Sequence, residues 1–146
     1  MKDTNRWMVG AQLAALVIAG LQLTACSKHL DAHKTEHPAD VANIAGSELK
    51  KVTLTERAAQ RLDVKTEQVR EQNGQGLVPY SSLIYDPKGN TWVYTSPAAR
   101  TFVRAKIDID RIIGDQVLLK SGPAAGTMIA TRAVAELYGT EMKVGH

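Results

Sequence analysis

The longest alternation in the chain runs from Phe102 to Asp110, where Val103, Ala105, Ile107 and Ile109 interleave with Arg104, Lys106, Asp108 and Asp110. Successive side chains of a strand point to opposite faces, so a period of two predicts one face in a core and one in water. A helix would scatter the same residues around its circumference. Shorter runs of the same kind, cut by turn residues, fill the stretch from Val78 to Lys120. It therefore reads as a series of short antiparallel strands.

Val78 to Tyr85 is predicted as the first of these, ending at Asp86-Pro87-Lys88-Gly89, where proline presets φ and Gly89 supplies the left-handed residue that closes a hairpin. Thr91 to Thr95 returns, with Trp92 and Tyr94 on one face and Val93 on the other, and Ser96-Pro97-Ala98-Ala99 is expected to break it. Gly114-Asp115 then turns the chain into Val117 to Lys120, and Thr127-Met128-Ile129 reads as a further strand. Upstream, Lys51 to Leu54 predicts a strand, and Thr55 is suited to cap about two helical turns whose apolar side is Ala58, Ala59 and Leu62. Asp63 to Val69 alternates again, and Glu71 to Gly76 reads as a flexible polar loop. The expected fold class is mainly β (α+β): a small antiparallel roll or barrel with one or two short helices.

The order of Val78-Pro79, Ser82-Leu83, Gly89-Asn90, Thr91 to Tyr94, Phe102-Val103-Arg104, Gly114-Asp115, Gly122 to Gly126 and Ala135 to Gly139 resembles one known module. It is similar to the membrane-proximal domain of the periplasmic adaptors, or membrane fusion proteins, of tripartite efflux pumps. The resemblance covers roughly half of the chain, and it rests on the order of individually weak motifs. It implies a partner, an inner-membrane efflux transporter, and no catalytic residues. A full adaptor of that family also carries a helical hairpin, a lipoyl-like domain and a further barrel between the parts matched by Val69 and Val78. Here Glu71 to Gly76 joins them directly, so the arms that reach an outer-membrane duct do not carry over. Pro123 and Thr127 depart from the family's usual apolar and acidic residues.

Met1 to Ala25 has the parts of a secretory signal: Lys2 and Arg6, an apolar run from Trp7 to Leu23, and small residues at its end. Gly10, Gln12, Gly20 and Gln22 interrupt the run, which makes it a poor permanent span. Leu23-Thr24-Ala25-Cys26 resembles a bacterial lipobox, and the chain's single cysteine falls where the lipid is attached. Several acyl chains, at about 0.8 kcal/mol per buried methylene, would hold the mature protein at a membrane. Ser27 resembles the sorting residue of outer-membrane lipoproteins, whereas adaptors work from the inner membrane, so a periplasmic lipid-anchored location is expected with the membrane left open.

The expected organisation is a signal peptide over 1–25, a lipid-anchored linker over 26–50 and a β domain over 51–142. A flexible linker of about 25 residues has an end-to-end distance of roughly 25–30 Å and a stretched limit of about 80 Å. Within it His29, His33 and His37 recur at every fourth position, with Asp31, Glu36 and Asp40 nearby. On a helix neighbouring imidazoles would share one side and hold Zn²⁺ or Cu²⁺, although Pro38 would end that helix at once. A solvated tether that happens to contain histidines is the plainer reading.

Lys and Arg total 18 against 15 Asp and Glu, or 16 against 14 once Lys2, Arg6 and Asp3 are set aside. These charges are interspersed, and nucleic-acid binding, which needs a basic stripe, is not expected. All four histidines lie outside the predicted strands, leaving Ser81 and Ser82 without a base, so an enzyme is not expected. Gly122 to Gly126 lacks the Gly-Lys-Ser/Thr ending of a phosphate loop. Asp108 and Asp110, flanked by Lys106 and Arg111, read as a solvated face; Arg100, Arg104, Lys106 and Arg111 read the same way, with docking to an acidic partner as the sharper option. Tyr80, Tyr85, Trp92, Tyr94, Phe102 and Tyr138 read as core, with a small-molecule pocket as the alternative.

These readings combine into a lipid-anchored periplasmic binding protein that associates with an efflux transporter. The rival is a periplasmic metal carrier in which the histidine tether is primary. A third is a decayed adaptor with no specific role.

Overall fold

The computed structural model describes residues 37–144. Cys26, His29 and His33 lie outside the described residues. Ten strands and two short helices are present among those described: β1 (Ala39–Asn43), β2 (Lys50–Leu54), α1 (Glu56–Leu62), β3 (Thr66–Gln68), β4 (Arg70–Gln72), β5 (Gln75–Pro79), β6 (Ile84–Tyr85), β7 (Thr91–Ala98), β8 (Thr101–Ile113), β9 (Gln116–Ser121), β10 (Met128–Ala130) and α2 (Val134–Met142). The domain is mainly β, as the alternation predicts.

The strands follow the order β3-β10-β7-β8-β9-β5-β4, all antiparallel. β3 and β4 are separated only by Val69, whose N–H donates to Thr127 O and whose C=O accepts from Gly126 N, both at 2.8 Å. The order thus returns to its starting point, and the sheet nearly closes into a barrel. β8 makes this possible by serving both halves: its first part pairs with β7 and β2, and its last part with β9. Register shifts between Asp108 and Arg111 bend it from one half to the other.

Two cores result. Val69, Val78, Val93, Ile107, Val117, Leu119 and Ile129 fill the barrel, with Ala105 and Ile109 packed against them. On the outer face of the β7–β8 half, Val52, Leu54, Ala58, Ile84, Tyr94, Phe102, Ala130, Val134 and Leu137 form a second core beneath α1 and α2. Each fully buried Val, Leu or Ile contributes about 1.5–3 kcal/mol of transfer free energy. Val93 belongs to one core, Tyr94 and Trp92 to the other, as their alternation along β7 requires.

Thr55 caps α1 as expected, its hydroxyl accepting from Ala58 N at 3.2 Å. The Asp86 to Asn90 hairpin also forms, with Gly89 at φ 81. Several expectations need correction. Ala39–Asn43, read as part of the linker, is a strand paired with β2 along its whole length. Arg70–Gln72 and Gln75–Pro79, where a flexible loop was expected to end only at Gly76, form a hairpin about Asn73-Gly74, both at positive φ. Val78 to Tyr85 is not one strand, because a 3-10 turn over Tyr80–Ser82 carries the chain from one half of the barrel to the other. Pro97 does not stop β7: a bulge between Thr95 and Ala98 takes up the residue that cannot donate to the ladder.

Candidate functional site

Two features of the described residues stand apart from ordinary packing. The first is an apolar rim at one end of the barrel. Ile113 of β8 lies across from Gln116 of β9, which lies across from Pro79 of β5, and the next residue, Tyr80, donates its N–H to Asp115 O at 2.8 Å. The 3-10 turn then brings Tyr85 within hydrogen-bonding reach of Tyr80; loss of hydration and that phenol hold Tyr85 above its usual pKa. The bulge in β8 sets Ile112 in register with Val117, and Val117 with Val78, two residues of the barrel interior. Ile112 thus continues the interior row at its open end.

Tyr80, Tyr85, Ile112 and Ile113 are each about half exposed, at 46, 51, 48 and 52%. Tyr80 and Tyr85 were expected in the core; they are not, because the turn that follows Pro79 directs both onto the rim. Ile112 and Ile113, adjacent in β8, point to opposite faces of the strand, so the rim presents exposed apolar side chains on both sides of the sheet.

The first described residues sit beside the start of β8. Pro38 O accepts from Thr55 N at 2.9 Å, Leu54 N donates to Arg100 O, and Thr53 pairs with Thr101, the first residue of β8. From there to Ile113 is about 40 Å of strand contour, at roughly 3.3 Å per residue.

The second feature is a buried charged cluster under α2. The solvated-face reading of Arg104 is overturned: it is only 9% exposed and lies 2.8 Å, through Nε, from Oε2 of fully buried Glu141. The guanidinium carbon lies 4.7 Å from the Trp92 ring centroid and 5.5 Å from that of Tyr138. Tyr94 donates its phenol to Glu141 Oε2 at 2.6 Å, and burial together with that bond pushes the Tyr94 pKa well up. Lys50 Nζ donates to the Glu141 carbonyl at 3.4 Å. The Arg104 Nε–H is not aligned with the carboxylate, and Glu141 Oε1 has no hydrogen-bond partner among the described residues. The cluster ties the last turn of α2 to β2, β7 and β8. It offers no nucleophile and no accessible base.

The remaining basic residues of that expected face are scattered. Arg100 lies 3.8 Å from Glu56, Arg111 pairs with Asp110 at 3.1 Å, and Lys106 is exposed. Asp108 accepts from Ser121 Oγ at 2.6 Å. Of the tether histidines only His37 is described, and it is exposed; no group of three or more metal-ligating side chains occurs among the described residues. No helix among them is long and apolar enough to cross a membrane.

Sequence reasoning passed over Ile112, Ile113 and Glu141. The last had a signal: Val134, Leu137 and Glu141 recur at helical spacing, which places Glu141 in the buried row of α2. No protein-family model matches the chain, and neither a curated protein nor a solved structure matches it.

Proposed function

We propose that this protein is a lipid-anchored periplasmic binding module that docks on an inner-membrane efflux transporter through the rim formed by Tyr80, Tyr85, Ile112 and Ile113. The observation that carries the proposal is the position of the rim. Ile112 and Ile113 lie at the end of β8 away from Thr101, beside which the described chain begins, and all four side chains are about half exposed to solvent. The motif order that resembles the adaptor membrane-proximal domain supports a transporter as that partner. On that resemblance, the short β4–β5 hairpin stands where an adaptor carries its arms, which argues for a role limited to contact with the transporter.

The rim suits docking energetically. Burying half-exposed tyrosine and isoleucine side chains gains about 25 cal/mol per Å² of apolar area, and tyrosines retain a hydroxyl for polar contacts. Affinity purification of the full-length protein from solubilised membranes of its native host tests the reading. A transporter should copurify with the wild type and be lost with Tyr85→Glu/Ile113→Glu. Equal recovery with both proteins, or no membrane partner with either, would overturn it.

A further inference from the structure

A groove of about 700 Å³ runs between β1 and α2, and none of the four rim residues lines it. Residues 37–41 form one wall; Glu136, Gly139, Thr140 and Lys143 lie along the other. Among the described residues β1 pairs with β2 alone. Because Pro38 O accepts from Thr55 N, the alternation of an antiparallel ladder puts the hydrogen-bonded pairs at Asp40 and Ala42. The N–H and C=O groups of Ala39 and Val41 then face outward, toward the open edge.

Gly139 is the second, independent observation. Glycine inside a helix costs roughly 0.5–1 kcal/mol relative to alanine, and Gly139 is the sixth of nine residues in α2. It does not have positive φ, and a Cβ built on it would meet nothing within 4 Å. Neither backbone conformation nor packing requires glycine there, and the residue lines the groove, where a large side chain would take up its space. Charge is also ordered along the groove. Glu136 and Lys143 stand two turns apart on α2, about 10 Å at 1.5 Å per residue, and Asp40 adds a second carboxylate from β1.

We infer that this groove binds an extended peptide of a partner protein, which adds to the outer edge of β1 as a further strand. Its backbone pairs with Ala39 and Val41, and alternate side chains enter the groove beside Gly139. The favoured peptide has apolar residues at every second position, a cationic side chain toward Glu136 and a carboxylate toward Lys143. This is strand addition against a flanking helix, with main-chain bonds supplying affinity and the groove supplying selection.

A library of short displayed peptides panned on the full-length protein tests the inference. Peptides of alternating apolar pattern with a basic residue should be enriched, and a synthetic copy of the leading peptide should bind Gly139→Leu at least about tenfold more weakly than wild type. Tyr85→Glu/Ile113→Glu should bind it unchanged, which separates this site from transporter docking. Should the leucine variant melt early, Glu136→Lys carries the test, because it should reject the basic peptide while leaving the fold intact. No enrichment over a scrambled library, or equal affinity for the wild type and both groove variants, would overturn the inference. So would a concentration-dependent dimer of the wild type that Gly139→Leu abolishes, since the groove would then hold a second copy of this chain.

Discussion

Asp86 accepts four hydrogen bonds, from the backbone N–H groups of Lys88 and Asn90, the Asn90 amide and the Trp92 indole, at 2.9–3.0 Å. Chiefly through the Asn90 amide, its pKa is lowered from 3.8 to about 2. A carboxylate whose pKa is lower folded than unfolded contributes stability above the unfolded value, and the contribution is lost as pH falls through the folded one. The hairpin is therefore expected to hold down to about pH 4 and to loosen toward pH 2. The indole N–H resonance of Trp92 should titrate with a midpoint near the lower value and stop titrating in Asp86→Asn. A midpoint near 4 would contradict the hydrogen-bond assignment. The buried pair offers a larger effect. Arg104→Met leaves the Glu141 carboxylate buried without its counter-charge and should cost about 3–5 kcal/mol in urea unfolding, with much of the loss recovered in Arg104→Met/Glu141→Leu. The sequence conceals this pair because Arg104 sits in register with Lys106, Asp108 and Asp110, which do face solvent. Only α2, arriving from far along the chain, covers the first part of that face.

The strands with a strong period of two were legible in the sequence. β8 and β9 form where alternation and turns placed them, β7 starts where they placed it but runs on past Pro97, and the Asp86 to Asn90 hairpin follows from its turn chemistry. The edge strands were less legible. β4 is fully exposed, and β1 is a five-residue strand whose apolar face, Ala39 and Val41, is small and only half-buried, so neither stands out from its polar surroundings. Asn73-Gly74 was a hairpin signal hidden by polar neighbours. The rim was illegible for another reason: it depends on a bulge that shifts the register of β8, which no pattern in the chain announces. Glycines report on packing at this scale. A Cβ at Gly122 would lie 3.0 Å from both Ile107 Cγ2 and Leu119 Cδ1, side chains of the barrel core. Gly122→Ala should destabilise by about 1–3 kcal/mol through overpacking, whereas Gly139→Ala should stabilise by about 0.5–1 kcal/mol. Thermal unfolding of the two variants checks both signs.

At the scale of the molecule, a nearly closed barrel with a long shared strand separates two surfaces. Arg100, just before β8, marks one end; Ile112 and Ile113 lie at the other with Tyr80 beside the β8–β9 turn, while Tyr85 stands across Thr91 from Ile107. The proposed docking uses the second of these surfaces. The alternation along β8 made the barrel readable, but the proposed function rests on where the exposed apolar side chains lie. Site-specific photocrosslinking in intact membranes tests that most directly, with the crosslinking residue placed at Ile113, at Tyr85 and, as the opposite end, at Ala99. The account predicts adducts with a membrane transporter from Ile113 and Tyr85 and none from Ala99. Adducts from Ala99 alone, or equal yields from all three positions, would contradict it.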